Sequence, residues 1–125
     1  MQAAVRILIA DDHPDTRLIL RDYFEAKGFD VCEAHNGEEA LACIRAARPD
    51  AVVLDIQMPR MDGIQVLREV RSDADLRDLK ILALSAHAFA EDVREISNAG
   101  ADSYLAKPAD PRTVIEAVRS LIEAR

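Results

Sequence analysis

The chain has 125 residues, half of them apolar, which fits one compact domain that builds its own core. Its formal net charge is -7, with 16 Lys and Arg against 23 Asp and Glu, so a basic face for nucleic acid is not expected. No positive segment followed by a long apolar run opens it, and no stretch nears the roughly 20 apolar residues that span a bilayer, so no membrane partner and a cytoplasmic location are expected.

The elements alternate along the chain. A nearly all-apolar run at 5–10 predicts a first strand covered on both faces. Leu20, Tyr23 and Phe24 share one face of a helix that Gly28 ends. A second strand at 30–34 is more polar, as an edge strand should be, and holds Cys32. Asn36 caps the next helix, with Glu39 in capping-box position, a stripe of Ala40, Leu41, Ile44 and Ala47, and Pro49 as its stop. Cys43 lies on this helix. The two cysteines lack metal or disulfide-framework spacing and read as small buried or half-buried apolar residues that fit a reducing compartment.

A third strand at 51–55 is apolar up to Asp55, and Asp62 caps a helix carrying Ile64, Leu67 and Val70. A fourth strand at 80–84 is followed by a helix with Phe89, Val93 and Ile96, closed by Gly100. A fifth strand, more polar, runs over 102–106, and a last helix carries Val114, Val118, Leu121 and Ile122. Five β-then-α units predict an α/β doubly wound fold: a parallel five-stranded sheet with right-handed crossovers and helices on both faces. The domain is expected to span 1–125, with no linker, repeat or second domain.

In such sheets, ligands bind at the carboxyl ends of the strands, near a topological switch point. That rule selects Asp11 and Asp12 after the first strand, Asp55 at the end of the third, Ser85 after the fourth and Lys107 after the fifth. Three carboxylates crowded in a low dielectric oppose one another's ionisation and call for a cation. Mg²⁺ prefers oxygen ligands and bridges to phosphoryl oxygens. An Asp carboxylate can also attack phosphorus, while Lys107 supplies positive charge and Ser85 a hydroxyl donor. Singly, Asp11 and Asp12 read equally well as loop residues capping a helix. A hydrolase triad of Ser85, His87 and an Asp is rejected because Ser85 lies in no nucleophile-elbow pattern.

These residues resemble a response-regulator receiver domain of two-component signalling. The resemblance runs the full length. It rests on Asp11-Asp12, Asp55-Ile56-Gln57-Met58-Pro59, Met61-Asp62-Gly63, Ser85-Ala86, Gly100-Ala101-Asp102 and Lys107-Pro108. It implies a (βα)5 flavodoxin-like three-layer sandwich with strand order 2-1-3-4-5. It implies Asp55 as phosphoacceptor, with Mg²⁺ held by Asp12, Asp55 and the Gln57 backbone carbonyl, and by Asp11 mostly through water. Lys107 would contact the phosphoryl group, often beside a cis peptide to Pro108. Ser85 and Tyr104 would be the switch pair, and Gln57, His87 and Ala86 would line the pocket mouth and tune it. The family often has Thr where Ser85 stands.

The implied function is a phosphoryl-accepting module, not an enzyme in the usual sense, although it would assist its own phosphorylation and dephosphorylation. Its donor would be a histidine kinase or a histidine phosphotransfer protein. Its output would be a changed surface on the fourth helix, fifth strand and fifth helix, read by a protein target or by a second copy in a phosphorylation-dependent dimer. With no output domain in the sequence, a single-domain type acting by contact or in a phosphorelay is expected. The alternatives are a small aspartyl-phosphate phosphatase, which usually carries a second acid where Gln57 stands, and an interaction domain with an inactive site.

Overall fold

The computed structural model describes residues 4–87 and 89–124. Five strands, β1 (Arg6–Ala10), β2 (Asp30–Ala34), β3 (Ala51–Asp55), β4 (Lys80–Ser85) and β5 (Ser103–Ala106), alternate with five helices. The helices are α1 (Pro14–Ala26), α2 (Gly37–Ala47), α3 (Gly63–Ser72), α4 (Ala90–Ala99) and α5 (Pro111–Glu123). The strands form one sheet in the order β2-β1-β3-β4-β5, parallel at every pairing.

Alternation of side chains along each strand divides the core in two. Leu8, Val52, Leu54, Ile81 and Ala83 face α2, α3 and α4, where they pack with Ile44, Leu67, Val70 and Ile96. Ile7, Ile9, Val53, Leu82 and Leu84 face the other way, toward Leu20 and Phe24 of α1 and Val114, Ile115 and Val118 of α5. Both faces of β1, β3 and β4 are therefore covered, which is why their sequences are nearly all apolar. Cys32 and Cys43 are free thiols of intermediate exposure.

Helix ends follow local chemistry. Asp62 and Gln65 form a reciprocal capping box that starts α3. Asn36 accepts from the Glu39 backbone N–H as expected, but the Glu39 carboxylate does not return to Asn36. It accepts instead from the backbone N–H of His35, with the His35 ring 2.8 Å away, so the expected box is half formed. Gly28 follows α1 at φ +90° and Gly100 ends α4 at φ +116°, both in the left-handed region that suits glycine.

One expected core residue is overturned. Phe89 is 80 % exposed, because α4 starts at Ala90 and leaves Phe89 at the N-cap, off the helical stripe. The buried stripe of α4 is Ile96 and Ala99, with Val93 half-buried. On α5, Ile115 joins Val114 and Val118 inside, while Leu121 and Ile122 are half-buried.

Candidate functional site

Because β2 and β3 lie on opposite sides of β1, the chain reverses its direction of winding there, and a crevice opens at the carboxyl ends of β1 and β3. Asp11 follows β1 and Asp55 ends β3. Both are only 1 % exposed. The backbone N–H of Asp11 donates to the Ala34 carbonyl, and that of Ile56 to the Leu84 carbonyl, so each acid is fixed by the neighbouring strand.

Lys107 reaches in from the end of β5. Its Nζ donates to Asp55 Oδ2 at 3.0 Å and to Asp11 Oδ2 at 3.1 Å. Its peptide bond to Pro108 is cis, and its backbone N–H donates to the Ser85 carbonyl at 2.8 Å. Burial disfavours the Lys107 ammonium, but the hydrogen bonds and charges of Asp55 and Asp11 outweigh that, and its pKa is raised. Asp55 is pushed up to about 6. Burial is the main cause. The Lys107 hydrogen bond opposes it, and the Asp11 charge adds to it.

Asp12 is the third carboxylate. Its Oδ1 is buried and accepts no hydrogen bond. His13 Nδ1 lies 3.1 Å from that oxygen and 3.2 Å from Asp11 Oδ1. Ligand atoms of Asp11, Asp12, His13 and Asp55 all lie within 4.8 Å of one another. An unpartnered buried carboxylate oxygen beside two buried acids is what a hard divalent cation would satisfy, so the residues fit Mg²⁺. Asp11 does not cap α1; its Oδ1 accepts from the His13 backbone N–H at 2.8 Å, and His13 is the N-cap.

Ser85 is fully buried at the end of β4. Its hydroxyl donates to the His87 carbonyl at 3.1 Å and accepts from the His87 N–H at 3.0 Å and from Gln57 Nε2 at 2.9 Å. Tyr104 is half-buried on the edge strand β5, packs against the α2–α4 side of the core, and donates its hydroxyl to the same His87 carbonyl at 3.4 Å. The structure therefore brings Asp11, Asp12, Asp55 and Lys107 together, and joins Ser85, Gln57, Ala86, His87 and Tyr104 in a second cluster beside them.

One contributor escaped the sequence reading. Arg17 donates to the Asp11 carbonyl at 2.6 Å and to Glu33 at 3.3 Å, tying α1 to the acidic loop and to β2. Its place one helical turn after His13 was the available signal. The Gln57 side chain, expected at the pocket mouth, spans to Ser85 and to the Ala86 N–H at 3.1 Å. A cleft of about 470 Å³ between this loop and α4 is lined by Gln57, Ser85, His87, Asp92 and Glu95. Another, about 490 Å³ and more apolar, lies beside Lys107, Pro108 and Ile19 of α1.

Comparison with known proteins places this geometry. Residues 7–119 match the sequence family described as response regulator receiver domain. The chain is 43 % identical over 119 residues to the response regulator MprA of Mycobacterium bovis, covering 95 % of this chain and 51 % of that protein. It thus spans about half the length of the curated relatives it matches. A response regulator structure from Chloroflexus aurantiacus superposes with a TM-score of 0.91 at 32 % identity, over 98 % of this chain and 100 % of that one. The receiver domain of the sensor histidine kinase PA1611 from Pseudomonas aeruginosa, which holds a magnesium ion in its active site cleft, superposes at 0.88 and 28 % identity, over 97 % and 99 %.

Proposed function

This chain belongs to the receiver domains of two-component response regulators, and from that premise we propose that Asp55 is its phosphoryl acceptor. The observation that carries the assignment is the buried Asp55 carboxylate, which ends a wholly buried strand and bonds an ammonium at 3.0 Å. The domain is a signalling module rather than a classical enzyme. A carboxylate oxygen of Asp55 attacks the donor phosphorus, the bond from phosphorus to the donor's leaving atom breaks, and its electron pair leaves with the donor. An acyl phosphate remains on Asp55.

Lys107 shifts from pairing with carboxylate to pairing with the new phosphoryl oxygens, and Ser85 supplies a hydroxyl donor. Mg²⁺ would be held by Asp12, Asp55 and the Gln57 backbone carbonyl, with Asp11 acting mostly through water. When bound, it offsets the carboxylate charge and that of the phosphoryl group. The bare Asp12 Oδ1 supports this.

The donor is a histidine kinase or a histidine phosphotransfer protein. The readout is a changed α4–β5–α5 surface, coupled to the site through Ser85, the His87 carbonyl and Tyr104. No helix among the described residues is long and apolar enough to cross a membrane, and two free thiols support a cytoplasmic setting. The phosphatase alternative needs an acid at position 57, where the neutral Gln57 carboxamide is engaged with Ser85. The test is incubation with acetyl phosphate and Mg²⁺, read by intact-protein mass. The parent gains one phosphoryl group, whereas Asp55→Asn and chelation by EDTA each reduce labelling to background. Full labelling of Asp55→Asn removes the assignment.

A further inference from the structure

Asp55 pairs with Leu84 across the β3–β4 ladder, so Ser85, the last residue of β4, and Ala86, the first beyond it, stand one and two residues past the acceptor's partner. They offer one hydroxyl and one backbone N–H to whatever forms on Asp55. Gln57, two residues past Asp55 in the loop after β3, already occupies both. Its Oε1 accepts from Ala86 N–H at 3.1 Å and lies 3.3 Å from Ser85 Oγ, while its Nε2 donates to that Oγ at 2.9 Å. Ser85 is saturated: it accepts from Gln57 Nε2 and from His87 N–H, and its one proton is shared between the His87 carbonyl at 3.1 Å and Gln57 Oε1 at 3.3 Å. Ala86 N–H has a single proton and it is spent on Gln57.

One carboxamide oxygen seated against a hydroxyl and a backbone N–H occupies the place that an oxygen of an anion would take. We propose that the Gln57 side chain is an internal stand-in for a phosphoryl oxygen, holding the end of β4 in the resting protein and competing with the phosphoryl group for Ser85 and Ala86. This rests on the reading of Asp55 as acceptor and adds a cost to it. Before Ser85 and Ala86 can serve the modified Asp55, the carboxamide must let go. Gln57 is thus a positioning residue that sets how readily the switch is thrown, and its contact runs between two loops, the one after β3 and the one after β4. The carboxamide exchanges the buried pair for water in the adjoining 470 Å³ cleft, which Gln57 itself lines.

The test uses the whole chain, ¹⁵N-labelled, with beryllofluoride and Mg²⁺ as the phosphoryl analogue. Gln57→Met keeps the length of the side chain and removes both partners. It accelerates exchange of the Ala86 amide and lowers the beryllofluoride midpoint roughly threefold to tenfold, the equivalent of one net hydrogen bond lost from the resting state. Gln57→Glu keeps an acceptor oxygen and retains the Ala86 protection to within about twofold of the parent. A residue that only filled space would give the same exchange in both variants. A midpoint that is unchanged or raised in Gln57→Met overturns the proposal, as does Ala86 exchange that the substitution leaves alone. Failure of the parent itself to take up beryllofluoride overturns the reading of Asp55 first, and this one with it.

Discussion

Asp55 holds a proton more tightly in the folded protein than in the unfolded chain. Its folded pKa is about 6 against an ordinary 3.8. Between those values the folded state carries the extra proton and the unfolded state does not, so stability falls as pH rises through that window and stays lowered above it. The ionised carboxylate therefore costs the metal-free fold on the order of 3 kcal/mol at neutral pH. Asp55→Asn removes that cost while keeping the shape. Urea unfolding in EDTA should find Asp55→Asn more stable than the parent by about 1–3 kcal/mol at pH 7.5, with the gap closing below about pH 4. Mg²⁺ should raise the parent's Tm and move the variant's far less, since only the parent has the charge to offset. The acids themselves were legible in the sequence because each sits at a strand end. The upward shift of Asp55 was not, because it depends on burial and on how near Lys107 and Asp11 come to rest.

Among the elements, α3 shows how closely the pieces are fitted around the site. Gly63 opens it against β3: a Cβ there would sit 2.8 Å from the Asp55 carbonyl oxygen, so the helix can begin this near the acceptor only with glycine. At its other end Arg71 donates to the carbonyls of Gly100, Arg77 and Leu79 and to Asp102 Oδ2, which also accepts from the Ile81 N–H. One guanidinium thus joins α3, the turn before β4, the end of α4 and the start of β5. Arg71→Ala leaves those acceptors without their donor and should cost about 2–4 kcal/mol in denaturant unfolding, without touching Asp55 labelling. Strands and helices could be read from apolar period and capping residues to within a residue or so. The Glu39 cap and Phe89 could not. His35 competes for the Glu39 carboxylate, and a helix start one residue later turns Phe89 outward.

For the molecule as a whole, the sheet is a partition. Phe24 and Val118 belong to one half of the core, Leu67 and Val70 to the other, with β1, β3 and β4 between them. Since layers pack about 10 Å apart, Phe24→Ala and Leu67→Ala, each costing about 2–5 kcal/mol, should add to within about 0.5 kcal/mol in the double variant. The strand order was expected from the family resemblance. The alternation of units alone called for two covered faces but left open which helix covers which. The site straddles the partition, and its second cluster meets at the carbonyl oxygen of His87, shared by Ser85 and Tyr104. That oxygen belongs to the main chain. Any amino acid at position 87 supplies the same atom, so the junction between hydroxyl and phenol is inherited with the backbone and survives drift in the sequence around it. Evolution is free to rewrite the side chain at the pocket mouth without severing the connection behind it.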